Sequence, residues 1–162
     1  MSDIVKVGIA ELDLAVPPDT IRTTGLGSCV GVVLYDEVKK IAGLAHVMLP
    51  DSTLAKAASL NIGKYADTAI KTLYDMLIKK GAIRRNLKAK IAGGAQMFQF
   101  TSGSEMMRIG PRNVESVKTM LAELGIPIIA SDVGGSSGRT IEFNPESAQL
   151  SIKTVNMGTK IL

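Results

Sequence analysis

Two apolar runs, Cys29 to Tyr35 and Ile41 to Leu49, flank the charged stretch Asp36-Glu37-Val38-Lys39-Lys40, and they constrain the fold more than any other part of the chain. The first run, CVGVVLY, is rich in β-branched and apolar residues, which suit a pleated, buried surface. The second, IAGLAHVML, follows a short polar turn and reads as the return strand of a β-hairpin. The same two runs carry the single cysteine, Cys29, and the single histidine, His46. A four-residue loop from Asp36 to Lys39 would pair Tyr35 with Lys40 and set Cys29 directly opposite His46. Cβ atoms so placed are roughly 4.5–5.5 Å apart. A slip of one residue would send the two side chains to opposite faces.

A thiol is a strong nucleophile only as the thiolate, and a neighbouring imidazole is a common means of producing one. Gly25-Leu26-Gly27 precede the cysteine, and glycines there allow substrate or a backbone N–H to approach closely. The backbone amides around Gly27 to Cys29 would then serve as oxyanion donors. The same residues have a plainer reading. A free cysteine also packs as a small hydrophobe, and a histidine inside an apolar strand also serves as a hydrogen-bonded core residue. Ordinary triad logic would nominate Asp36 or Asp51 to orient the imidazole. Asp36, however, falls at the far end of the hairpin, and Asp51 follows Pro50.

A chain of 162 residues suits one domain with a sizeable core, and 46% hydrophobic with 21% charged residues is ordinary for a globular protein. The net charge of +4 is spread out apart from Lys79-Lys80 and Arg84-Arg85. With 4% aromatics it lacks the basic, aromatic-lined stripe of a nucleic-acid binder, so no nucleic-acid partner is expected. A mildly basic surface favours an acidic protein partner instead. One cysteine excludes an internal disulfide framework and agrees with a reducing compartment. One Cys and one His cannot make a structural zinc site without enlisting carboxylates, so no metal is expected. No secretory signal or membrane-spanning run is evident, and a cytoplasmic location is expected.

Along the chain, Ile4 to Ala10 and Leu12 to Val16 read as strands, and Pro17-Pro18-Asp19 as a turn into strand Thr20 to Thr24. Ser52 to Leu60 reads as a loop. A helical period runs from Asn61 to Lys80, with Ile62, Ala66, Ala69 and Leu73 on one stripe and Gly81 as its stop. Leu87 to Ile91 alternates like a strand and ends at Gly93-Gly94, which suit either a plain turn or the lining of a substrate site. Asn113 reads as the cap of a helix from Val114 to Leu124. Strands are expected at Pro127 to Ala130, Thr140 to Phe143 and, last, Ala148 to Thr154. The glycine loops lack the spacing of phosphate cradles. Many strands and two helices indicate an α+β protein.

The segments Thr23-Thr24-Gly25-Leu26-Gly27-Ser28-Cys29 and Ala45-His46-Val47-Met48-Leu49-Pro50-Asp51 resemble the signature of the CheD family of chemoreceptor glutamine deamidases. Ile91 to Phe98, Ile109 to Asn113 and Asp132 to Arg139 resemble further blocks of that family in the same order. The resemblance implies a single domain built as a layered, mixed β-sandwich with two main helices packed outside. It also implies a Cys-His-Thr triad at Cys29, His46 and Thr23 that hydrolyses glutamine side-chain amides. The chemistry of a thiol nucleophile then predicts a thioester acyl-enzyme with no cofactor. Gly27, Ser28, Gly93 and Gly94 stand as the oxyanion and substrate-loop candidates read from the residues themselves. The implied substrate is a glutamine on the helical cytoplasmic region of a chemoreceptor, and the implied regulatory partner is a CheC-type phosphatase. A non-catalytic adaptor for those partners and a receptor methylesterase are the alternatives.

Overall fold

The computed structural model describes residues 2–54, 61–96 and 108–162. Among these residues ten strands form two five-stranded sheets. One sheet has the spatial order β1 (Ile4–Lys6), β3 (Thr20–Leu26), β8 (Arg139–Asn144), β9 (Gln149–Thr154) and β10 (Gly158–Ile161). The other runs β2 (Leu12–Ala15), β5 (Ile41–Val47), β4 (Val30–Asp36), β6 (Leu87–Gly93) and β7 (Ile128–Val133). Both sheets are mixed, since β1–β3 and β6–β7 pair in parallel while other neighbours are antiparallel. Helices α1 (Ala66–Lys80) and α2 (Ile109–Glu123) cover the outer face of the second sheet. This is the expected α+β sandwich with two helices outside. Among the described residues no helix is long and apolar enough to cross a membrane.

The layering explains the hairpin's composition. Val30, Val32 and Leu34 pack with Ala69, Leu73 and Val117 of the helices. Val33, Tyr35 and Leu44 face the other way and pack with Ile21, Ile141 and Phe143 of the first sheet. All seven residues of β4 and all seven of β5 are buried. A strand covered on both faces reads as a continuous apolar run instead of an alternation. Ile70, Leu73 and Leu77 anchor α1, and full burial of each such side chain contributes about 1.5–3 kcal/mol.

Three expectations need correction. Helix α1 begins at Ala66; Asn61 instead caps a separate single turn, Ile62–Lys64, accepting the Gly63 N–H at 3.1 Å, and Ile62 is exposed. Helix α2 begins at Ile109, with Pro111 in the first turn, where the helix needs no backbone donor. Asn113 is therefore not a cap but a fully buried residue inside the helix. The chain also adds β10 after the strand expected to be last, through a turn with Asn156 and Gly158 at positive φ. Of the loop read at Ser52 to Leu60, residues 55–60 lie outside the described residues, as do 97 and 98 of the block from Ile91 to Phe98.

Candidate active site

Thr23 lies on β3, paired with Ile141 of β8. Just beyond it the ladder slips by one residue before Leu26 pairs with Arg139, and Gly25 takes φ +73° within this bulge. The bulge restores an inward direction to Leu26, which is fully buried, while Thr24 and Gly25 are exposed. Thr23 itself is turned inward at 2% exposure.

The hairpin forms, but in a different register from the one expected. Asp36 is the last residue of β4 and pairs with Ile41, so the loop is Glu37 to Lys40 and the ladder is displaced by two residues. The cause is Asp36 itself. It is fully buried, and its Oδ1 accepts the N–H groups of Val38 (3.0 Å) and Lys39 (2.9 Å). Its Oδ2 accepts Ile83 N–H (2.9 Å) and Asn86 Nδ2 (3.3 Å). Burial works to raise this carboxyl, but those four donors outweigh it and hold it below the usual carboxylate range. The residue across from His46 is thus Gly31, and Cys29 sits just before β4 on the diagonal. A shift of two keeps the faces. Cys29 still packs with the cluster between the sheets, on the side where Ala42 and Leu44 precede His46.

His46 is completely buried, and its Nδ1 lies 2.7 Å from the Thr23 hydroxyl oxygen. That hydroxyl also lies 2.7 Å from the carbonyl oxygen of Val7. A hydroxyl has one proton, and a carbonyl can only accept, so Thr23 donates to Val7 and accepts from Nδ1–H. Nε2 then carries the lone pair, and it has no hydrogen-bond partner among the described residues. Burial pushes the imidazole down, favouring this neutral form. Burial pushes the Cys29 thiol up, opposed by its own backbone amide. The half-buried thiol makes no hydrogen bond to Nε2. The resting pair is therefore thiol and neutral imidazole, not the thiolate that an adjacent imidazole would be expected to draw out. Asp36 is engaged at the far turn, and exposed Asp51 accepts Thr53 N–H at 2.8 Å.

Gly93 and Gly94, at φ +108° and +66°, brace the cysteine loop. Gly94 N–H donates to Cys29 O and Ala95 N–H to Gly27 O, both at 2.8 Å. A Cβ on Gly93 would overlap the Cys29 carbonyl. Behind them, Gly134 N–H donates to Gly93 O at 3.0 Å, and Arg139 bonds Gly134 O (2.9 Å) and Asp132 (3.2 Å). Gly27 N–H is taken up by Gly25 O at 3.1 Å, whereas the amides of Ser28 and Cys29 have no backbone acceptor among the described residues. Among those residues no three His, Cys, Asp or Glu side chains are grouped to hold a metal ion. The Val7 carbonyl is the participant that sequence reasoning missed, and no side-chain pattern could have signalled a backbone oxygen.

A family model described as CheD chemotactic sensory transduction matches residues 48–154. The chain is 65% identical over 160 residues to the chemoreceptor glutamine deamidase CheD of Halalkalibacterium halodurans, covering 99% of each. It is 60% identical over 159 residues to the protein of the same name from Bacillus subtilis, covering 98% of this chain and 96% of that one. Among solved structures, the crystal structure of Bacillus licheniformis hypothetical protein YfiH aligns with TM-score 0.46 and 16% identity, over 72% of this chain and 48% of that one. That likeness is too slight to argue from. The family-model match starts after Thr23, Cys29 and His46, whereas the near-full-length relatives span that part of the chain.

Proposed function

The chain belongs to the CheD family, and from that membership and the geometry around His46 we propose that it is a protein-glutamine glutaminase acting on chemoreceptors. All of residues 1–162 act as one deamidase domain, and Cys29, His46 and Thr23 carry the reaction. The observation that bears most weight is the relay Val7 O, Thr23 hydroxyl, His46 Nδ1–H, which leaves Nε2 as a bare base.

In the first half of the reaction, entry of the glutamine side chain turns Cys29 toward Nε2, a gap of the kind often found before substrate binds. Nε2 takes the thiol proton and sulfur attacks the side-chain carbonyl carbon. The Ser28 and Cys29 amides receive the oxyanion. The imidazolium returns its proton to the departing nitrogen, releasing ammonia and leaving a thioester on Cys29. In the second half, Nε2 deprotonates water, which attacks the thioester; the thiol departs with that proton and the product is glutamate. Thr23 holds the imidazole in its tautomer throughout; lacking charge, it orients His46 more than it stabilises imidazolium. No step calls for a cofactor.

The substrate is the helical cytoplasmic region of a receptor, which places the reaction in the cytoplasm, and a CheC-type phosphatase is the regulatory partner. The test is ammonia release from a receptor cytoplasmic fragment, with mass spectrometry for the glutamine-to-glutamate change of about 1 Da. Wild type should give both and Cys29→Ala neither, with fragment binding retained. Binding without ammonia would make the protein an adaptor, and methanol release from a methylated fragment would make it an esterase.

A further inference from the structure

We infer that Asn113 is a positioning residue for the oxyanion site, an inference that rests on reading Cys29 as the nucleophile. Asn113 is fully buried on α2. Its Nδ2 donates to the carbonyl of Ser28 at 3.0 Å and to that of Met48 at 2.9 Å. Exchanging the amide's oxygen and nitrogen would set Oδ1 against two carbonyl oxygens, so the acceptors dictate this orientation. Oδ1 is left buried with no partner among the described residues. Such an orphan acceptor is unfavourable, and a leucine of similar size would avoid it. Packing alone gives no reason for an amide here; the two carbonyls do.

Those carbonyls belong to the segments that carry the reacting groups. Ser28 immediately precedes Cys29, and Met48 follows His46 by two residues. The Ser28 C=O and the Cys29 N–H share one planar trans peptide and point in opposite directions. Holding the carbonyl against α2 therefore aims the Cys29 N–H away from the helix and keeps it from turning. The first turn of α2 reaches the same loop by a second route. A Cβ on Gly110 would overlap Ala95 O, and the Gly94–Ala95 segment is bonded to Cys29 and Gly27.

The experiment compares wild type, Asn113→Leu and Asn113→Asp in the ammonia assay and in alkylation of Cys29 by iodoacetamide. Alkylation develops no oxyanion, so it reports the thiol without the site. Asn113→Leu should lose roughly 10- to 100-fold in kcat, below the ~10²–10³ for removing an oxyanion donor outright. Its KM should stay within about twofold. Its alkylation rate should fall by a much smaller factor than kcat, because the Cys29 amide only offsets part of the burial that raises the thiol. A folded Asn113→Leu with wild-type kcat overturns the inference, as does one that loses kcat and alkylation by the same factor. If it does not fold, Asn113→Asp decides. Its protonated carboxyl keeps one donor and its ionised form none, so its kcat should fall as pH rises through that titration. A flat profile, or failure to fold here too, assigns the residue to folding and overturns the inference. Ammonia release surviving in Cys29→Ala would overturn the nucleophile instead, so the two failures are distinguishable.

Discussion

Thr23 and His46 lie 23 positions apart in sequence, yet a 2.7 Å hydrogen bond joins them, and its direction is set by Val7. Removing the hydroxyl releases the imidazole without forcing a wrong tautomer, unlike the ~10⁴ loss when an amide replaces a carboxylate orienter. Thr23→Ala should therefore lose on the order of 10- to 1000-fold in kcat. Thr23→Ser, which keeps the oxygen, should recover much of that. Exposed Thr24→Ala is the control. Steady-state kinetics on the three variants check the order, and damage at Thr24 with none at Thr23 would reverse the assignment.

The thiol's behaviour with pH follows from its burial. With Cys29 raised and Nε2 neutral, the resting protein should react with iodoacetamide more slowly at pH 7 than a free thiol does. Its labelling should climb through a midpoint above the ordinary thiol value. The acid limb of kcat/KM should fall with a midpoint below about 6.5, because His46 resists protonation. Rates across pH 5–10 test both limbs, and fast labelling at pH 7 would indicate a resting thiolate.

Stability should fall in two separate windows on acidification. His46 has a depressed folded pKa, so its contribution is whole above about 6.5 and is lost as pH falls toward the folded value. Asp36 is also depressed; its contribution is whole above about 3.9 and is lost below that. His46→Gln should flatten only the upper window. Asp36→Ala strands four donors and should cost about 2–4 kcal/mol at pH 7 by denaturant unfolding.

Gly25 and Gly93 both have positive φ, but their substitutions should part company. Nothing crowds a Cβ on Gly25, so Gly25→Ala meets only backbone strain, about 1–2 kcal/mol. A Cβ on Gly93 would overlap the Cys29 carbonyl, so Gly93→Ala should displace the cysteine loop and reduce kcat as well as stability. Melting temperatures and turnover measured together distinguish strain alone from strain passed to Cys29.

The hairpin was legible because strands buried on both faces leave an unbroken apolar run. Its register was not, because Asp36 reads as a turn residue by type and is instead a buried carboxylate holding the turn from inside the strand. The error was an even number of residues, so the inward placement of Cys29 and His46 survived it. Thr23 looks like any strand threonine, and only the family resemblance singled it out; its partner is met through sheet packing, not local pattern. Asn113 has the composition of a cap, and only the position of Pro111 in the first turn moves the helix start upstream. Val7 and Ser28 contribute carbonyls, which have no residue identity to read.

The doubly covered sheet has a consequence in time. His46 lies on the fully buried strand β5, between β2 and β4, and its amide donates to Glu11 O at 3.0 Å. Its hydrogen should exchange with deuterium only when much of the molecule opens. The amides of Ser28 and Cys29, at the mouth of β4 and without backbone acceptors, should exchange orders of magnitude sooner. His46 is thus built into slowly opening structure, while the amides beside Cys29, held in place by the bonds to their loop, stay unengaged and open to an arriving group.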